Sequence, residues 1–135
     1  MIRMYQSTSQ GAAANPSAAP GYSWKLIYCL AWINVSSTTG NRSINIMQKP
    51  FSGSAYLINL IAPLSDDTAT SGDLLLAAVG VGFSSVVSAT GSVVASLSQP
   101  IPVGGSSIDI VWGLQTGDTS GFELCVDEIM NGDPI

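Results

Sequence analysis

WKLIYCLAWINV, residues 24 to 35, is the stretch on which the fold turns. It is rich in aromatic and β-branched residues and has neither Gly nor Pro, and it carries apolar side chains at both odd and even positions. That composition predicts a long β-strand covered on both faces, because successive strand side chains point to opposite sides of a sheet. The segments downstream repeat the strand theme in shorter form. RSINIM (42–47) alternates Ile44 and Ile46 with polar neighbours, and SAYLINLIA (54–62) comes after Pro50 and Gly53. LSDDTATSGD (64–73) is a polar loop.

LLLAAVGVGF (74–83), SSVVSA (84–89) and SVVASLS (92–98) are divided by Gly82 and Gly91. Leu74 to Ala78 alone is compatible with helix, but Val, Gly and Ser dominate the residues downstream of it, so three strands are expected. QPIPVGGSS is a turn before IDIVWGL (108–114), in which Ile108, Ile110 and Trp112 share a face. GFELCVDEI (121–129) closes the domain, with Phe122, Leu124 and Val126 inward and Glu123, Cys125 and Asp127 outward. About eight strands at short spacing predict an all-β, antiparallel β-sandwich, in the form of an eight-stranded jelly roll with an extended N-terminal arm. In such a fold the first and last strands are neighbours, which brings Cys29 and Cys125 near each other. Buried free thiols are the simpler expectation, a cross-strand disulfide the alternative.

The composition narrows function. The chain has 135 residues, enough for one domain with its own core. Only 10% of them are charged, against roughly 25% in an ordinary domain. Twenty Ser and eight Thr supply much of the polarity. The net charge is −5, and the four cations, Arg3, Lys25, Arg42 and Lys49, are scattered. A surface that neutralises phosphates needs them clustered, so no direct nucleic-acid contact is expected. Polar and small residues come after Arg3 where a signal peptide would be apolar, and the longest near-apolar run, 74–83, is too short for a membrane helix. The expectation is a soluble protein made in a cytoplasm, with no membrane partner.

Catalytic chemistry finds little to work with. There is no histidine, which excludes Ser-His-Asp and Cys-His nucleophile systems. Glu123 and Asp127 share a strand face but lie roughly 13 Å apart at strand rise, too far for a glycosidase pair. Asp66, Asp67 and Asp73 offer oxygen ligands for calcium without the EF-hand order, and a turn in which they bind backbone amides is the preferred reading. Asn34-Val35-Ser36 and Asn41-Arg42-Ser43 match the N-glycosylation pattern by chance in a Ser-rich turn. VGVGFSS and VGGSS lack the Lys of a phosphate loop. Trp24 and Trp32 have the same strand parity at a separation of about 26 Å, so one is expected in the core and the other at an interface. No catalytic residue, metal or cofactor is expected.

What remains is MIRMYQSTSQGAAANPSAAPG, residues 1 to 21, whose Gly, Pro, Ser and Ala give no sustained period. Ordering such a segment costs roughly 1–2 kcal/mol per residue in backbone entropy, more than Ile2, Met4 and Tyr5 offset by burial. To be ordered it must therefore make many backbone hydrogen bonds or broad contacts. The alternation in MYQSTSQ suits it to add as a strand to a sheet edge on another subunit. Ile2, Arg3, Met4, Tyr5, Gln6, Ser7, Thr8, Ser9 and Gln10 are the expected gripping segment, with Gly11 to Gly21 a tether. The expected organisation is thus a docking arm (1–21), a sandwich (22–131) and a tail (132–135), and deleting residues 1 to 20 is expected to leave the sandwich folded but to abolish its incorporation into an assembly.

Low charge, hydroxyl-rich turns, the strand pattern over residues 24 to 129 and the closing PIPVGGSSIDIVWGLQTGDTSGFELCVDEI together resemble the small structural β-domains of bacteriophage virions. These include capsid decoration or cement proteins and head or tail accessory proteins. The resemblance implies a non-enzymatic protein located in the virion. Its implied partners are the major capsid or head/tail protein and further copies of itself, often as trimers. No single residue carries over a role from it. Two other functions stay open. One is a carbohydrate- or receptor-binding module using Trp and Tyr. The other is a self-assembling coat subunit, against which the single cation of the arm argues.

Overall fold

The structure is a computed structural model, and it describes residues 1–49, 58–81, 89–103 and 107–131. These form an all-β fold, with no helix among the described residues. The strands are β1 (Ile2–Ser7), β2 (Ala13–Ala14), β3 (Tyr22–Asn34), β4 (Arg42–Gln48), β5 (Ile58–Asn59), β6 (Leu64–Asp66), β7 (Leu74–Val81), β8 (Gly91–Leu97), β9 (Ile101–Pro102), β10 (Ile108–Gly113) and β11 (Thr119–Met130). Two sheets pack face to face as a β-sandwich. The larger runs β1-β11-β3-β7-β8, with β9 beside β3, and the smaller runs β2-β10-β4-β5, with β6 beside β4.

The core lies between the sheets and obeys the alternation in the sequence. Cys29, Ala31 and Ile33 of β3, Leu75, Ala77 and Val79 of β7, and Leu124 and Val126 of β11 face Ile44 and Ile46 of β4 and Ile108 and Ile110 of β10, all of them fully buried. The rings of Trp112 and Phe122 meet across the gap at 6.4 Å. Each Val, Leu, Ile or Phe among them contributes roughly 1.5–3 kcal/mol by leaving water.

The long strand predicted over 24–35 is β3, Tyr22–Asn34, but its two faces are unequal. Leu26 pairs with Val126 and Tyr28 with Cys125, so Ile27 is an extra residue, a β-bulge. The bulge switches the inward parity from even (Trp24, Leu26) to odd (Cys29, Ala31, Ile33). Trp24 is therefore buried in the core, while Trp32, of the same nominal parity, points to the outer face. That outer face, with Ile27, Tyr28, Leu30 and Trp32, is half-buried and not covered to the degree the sequence suggested.

Cys29 and Cys125 do approach, since Cys29 pairs with Leu124 and Tyr28 with Cys125. They nevertheless sit on opposite faces of the sheet, and both are free thiols. The expectation of antiparallel pairing throughout is corrected at one place: β7 and β8 are parallel, Leu75 opposite Gly91 through Val81 opposite Leu97. An apolar alternation is the same read in either direction, so it does not encode strand polarity. The strand expected over 84–89 falls almost wholly outside the described residues, as do the first four residues of the one expected over 54–62 and the tail 132–135.

Candidate functional site

Residues 1 to 21 are built into the sandwich. β1 pairs antiparallel with β11, from Ile2 opposite Asp127 to Ser7 opposite Phe122. The chain then crosses between the sheets at Gln10 and Gly11. Gln10 N–H donates to the Ser120 carbonyl at 2.9 Å, and the Ser120 hydroxyl donates to the Gly11 carbonyl. Gly11 has φ +87°, a conformation that glycine adopts without strain. Beyond it, Ala13 and Ala14 pair with Val111 and Ile110, Trp112 N–H donates to the Ala12 carbonyl, and Ile108 N–H donates to the Pro16 carbonyl. One continuous segment thus edges both sheets on one side. The expected docking arm therefore lies on its own chain's strand, and the expected tether is the edge of the second sheet. Of the two expected means of ordering it, backbone hydrogen bonds are the ones that hold it in place.

The alternation of β1 separates its side chains. Arg3, Tyr5 and Ser7 lie on the side of the core: Arg3 Nε donates to Glu128 Oε2 at 2.6 Å, and the Tyr5 ring packs on Trp24 at 5.4 Å between centroids. Glu128 is 5% exposed and also accepts from Trp24 Nε1 at 3.1 Å. That hydrogen bond lowers the carboxyl pKa below the usual range, against burial, with help from Arg3. Ile2, Met4 and Gln6 lie on the outer side, where Ile2 is 58% and Met4 53% exposed. Thr8 and Ser9 are exposed, and Gln10 Nε2 donates to the Ala13 carbonyl.

Met4 continues a row across the outer face of the large sheet. Next to it is Cys125, then Tyr28, then Gly80. The Tyr28 hydroxyl donates to Glu123 Oε2 at 2.9 Å and reaches Met4 Sδ at 3.7 Å, so its side chain leans toward the edge strand over Cys125. Burial and the Glu123 carboxylate push the Tyr28 phenol up to about 12. Burial alone raises the Cys29 thiol to about 12, and burial together with the Glu123 charge raises that of Cys125. Trp32 lies against Gly121, where an added Cβ would stand 2.5 Å from Trp32 Cζ2 and 2.6 Å from the Ser7 carbonyl oxygen. The outer face thus carries an apolar row from Tyr28 through Cys125 to Met4, with Leu30 and Trp32 nearby, between the charges of Glu123 on one side and Asp127 and Lys25 on the other.

The other sequence candidates are taken up locally. Asp66 Oδ1 accepts from the Thr68 and Ala69 amides, and Asp73 Oδ2 from the Thr70 amide, so these carboxylates order their own loop. Thr68 leads in holding the Asp66 carboxyl below its usual pKa. Among the described residues no three His, Cys, Asp or Glu side chains cluster as metal ligands. Trp24 and Trp112 are buried, so the three indoles form no common platform. A shallow hollow of about 250 Å³ between β2 and β10 is lined by Ala13, Ala14, Asn15, Asp109, Ile110 and Val111. Its one carboxylate, Asp109, already accepts from the Asn15 side chain.

One buried pair has no local sign in the sequence. The Arg42 and Asp118 side chains are both 0% exposed. Arg42 Nε and Nη2 donate to Asp118 Oδ2 and Oδ1 at 2.6 and 2.9 Å, and Nη2 also donates to the Thr38 carbonyl. Asp118 accepts in addition from the Ser36 and Gln115 amides, both at 2.9 Å. Burial opposes its charge, yet Arg42 and these amides hold the carboxyl well below the usual carboxylate range. The pair clamps the β3–β4 turn to the β10–β11 turn, a structural role. Its spacing, 76 positions apart, hid it.

No protein-family model matches the chain, and no curated protein or solved structure matches it.

Proposed function

We propose that the chain is a non-enzymatic virion structural protein that decorates or stabilises a phage capsid or a head or tail assembly. Its partners in this reading are the major capsid or head/tail protein and further copies of itself, with neither nucleic acid nor a membrane involved. The observation that carries it is the outer face of the large sheet. Tyr28 is joined there through Cys125 to the exposed Met4 of β1, with Ile2, Leu30 and Trp32 around that row, and an apolar row bordered by the charges of Glu123, Lys25 and Asp127 suits contact with another protein. The acidic net charge of −5 supports a place away from the genome.

The test replaces the outward residues and keeps the segment, because residues 1 to 21 complete the sandwich. Ile2→Lys with Met4→Lys should leave the melting temperature within a few degrees, since both side chains are exposed and Lys at position 2 faces Asp127, and should remove the chain from purified particles. Equal incorporation of the variant sinks the proposal. Trp32, the one indole on the outer face, favours a glycan- or receptor-binding module as the second reading. A glycan array on which Trp32→Ala binds as well as the parent removes that reading.

A further inference from the structure

The backbone pattern of β1 shows what its open edge can accept. Glu128 N–H donates to the Met1 carbonyl at 2.8 Å, and the Met1 nitrogen donates to the Glu128 carbonyl at 2.9 Å. Residue 1 is therefore in a doubly bonded pair. With the register regular from Ile2 to Ser7, residues 3, 5 and 7 repeat that pairing, because doubly bonded and non-bonded pairs alternate in an antiparallel ladder. The N–H and C=O groups of Ile2, Met4 and Gln6 consequently point away from β11, along an edge that no described strand occupies.

Natural edge strands are guarded by Pro, by a bulge, by charged side chains or by a covering loop. β1 contains no Pro and keeps register with β11 throughout, and its one charged side chain, Arg3, is neutralised by Glu128 of the same chain. We infer that this edge pairs with the β1 of a second copy, antiparallel and about a two-fold axis at Met4, so that the two large sheets become one. The inference rests on the reading of β1 as an assembly element and specifies its partner.

The register is dictated by self-complementarity. Centring on Met4 places Met4 opposite Met4, Ile2 opposite Gln6 and Gln6 opposite Ile2 of the second copy. Every outward-pointing backbone group of β1 then meets one from the other copy, with two hydrogen bonds in each pair. Side chains of the outer face stay on the outer face, and Arg3 falls opposite the partner's Tyr5. Centring one residue earlier would set Arg3 against Arg3, like charges directly opposed. Centring one residue later would pair Ile2 with Thr8, beyond the end of β1. The chosen register joins the apolar surfaces of Ile2 and Met4 into one patch across the axis.

The experiment uses the full chain. Its sedimentation mass should rise with concentration from 13.9 kDa toward twice that value. Met4→Pro deletes an N–H that β11 does not use, so the fold should persist by circular dichroism. Dimerisation should weaken about 30-fold from the two donors lost per dimer. In a Cys125→Ser background, Met4→Cys should give a covalent dimer on mild oxidation, since paired Cα atoms lie about 5.5 Å apart. Val111→Cys, exposed on the other sheet, should not. A chain monomeric at all concentrations, a Met4→Pro dimer of unchanged strength, or equal cross-linking at 4 and 111 overturns the pairing. Were Met4→Pro to unfold, the cross-linking comparison decides. A monomer that still enters particles overturns this inference and leaves the proposed function standing.

Discussion

Replacing Asp118 by Ala should be among the most damaging single changes in this protein. Asp118 accepts four hydrogen bonds, two from Arg42 and one each from the Ser36 and Gln115 amides. Both charged side chains are out of water, so removing the carboxylate leaves a buried guanidinium without its counter-ion. Breaking such a pair from one side costs about 3–5 kcal/mol. A chain of 135 residues unfolds with an entropy of about 0.28 kcal/mol/K at about 2.1 cal/mol/K per residue, which converts the loss to about 11–18 °C of melting temperature. The same pair sets an acid limit. A carboxyl whose folded pKa is depressed contributes stability that is complete above its unfolded value of about 3.9 and is lost as pH falls below it. The stability of the parent should therefore decline below about pH 4, and that of Asp118→Ala should decline less steeply. Thermal melts by circular dichroism between pH 2 and 7 measure both effects. If Asp118→Ala melts within about 3 °C of Asp67→Ala, a change at an exposed carboxylate, the clamp is not what holds these turns.

Two further outcomes probe the large sheet. Gly121→Ala should cost about 1–3 kcal/mol, because its Cβ would press on the Trp32 ring and the Ser7 carbonyl, and Trp32 fluorescence should shift to the red as the ring lifts; an unchanged spectrum and melt would contradict the packing described. Cys29 should resist thiol reagents at pH 8 until the protein unfolds, its thiol being buried and its pKa raised to about 12, and labelling at the rate of a free thiol would refute its placement in the core.

The local pattern of this chain is legible because side-chain alternation is a property of adjacent residues. Ile108, Ile110 and Trp112, like Phe122, Leu124 and Val126, declare strands and an inward face, and enough such segments declare a two-sheet β protein. The apolar character of both faces of residues 24 to 35 likewise announces an outer surface that is not an ordinary solvent face. The segment 1 to 21 was readable as needing backbone partners, but not as finding them in its own chain. Which edge a strand joins depends on where the rest of the chain has left a vacancy.

Three features were decided only by the tertiary structure, each for a physical reason. The bulge at Ile27 comes from fitting β3 to β11, and it sends Trp24 and Trp32 to opposite faces although their spacing says otherwise. The parallel pairing of β7 with β8 depends on the path between them, to which alternation is blind. Arg42 and Asp118 look like ordinary surface charges until folding carries both out of water and makes each the other's counter-charge. By itself the sequence determined that the chain builds strands and which side chains they turn inward. The tertiary structure determined which strands meet, and with that an edge at Ile2, Met4 and Gln6 that no described strand occupies, because hydrogen bonds between strands join residues that are distant in the chain.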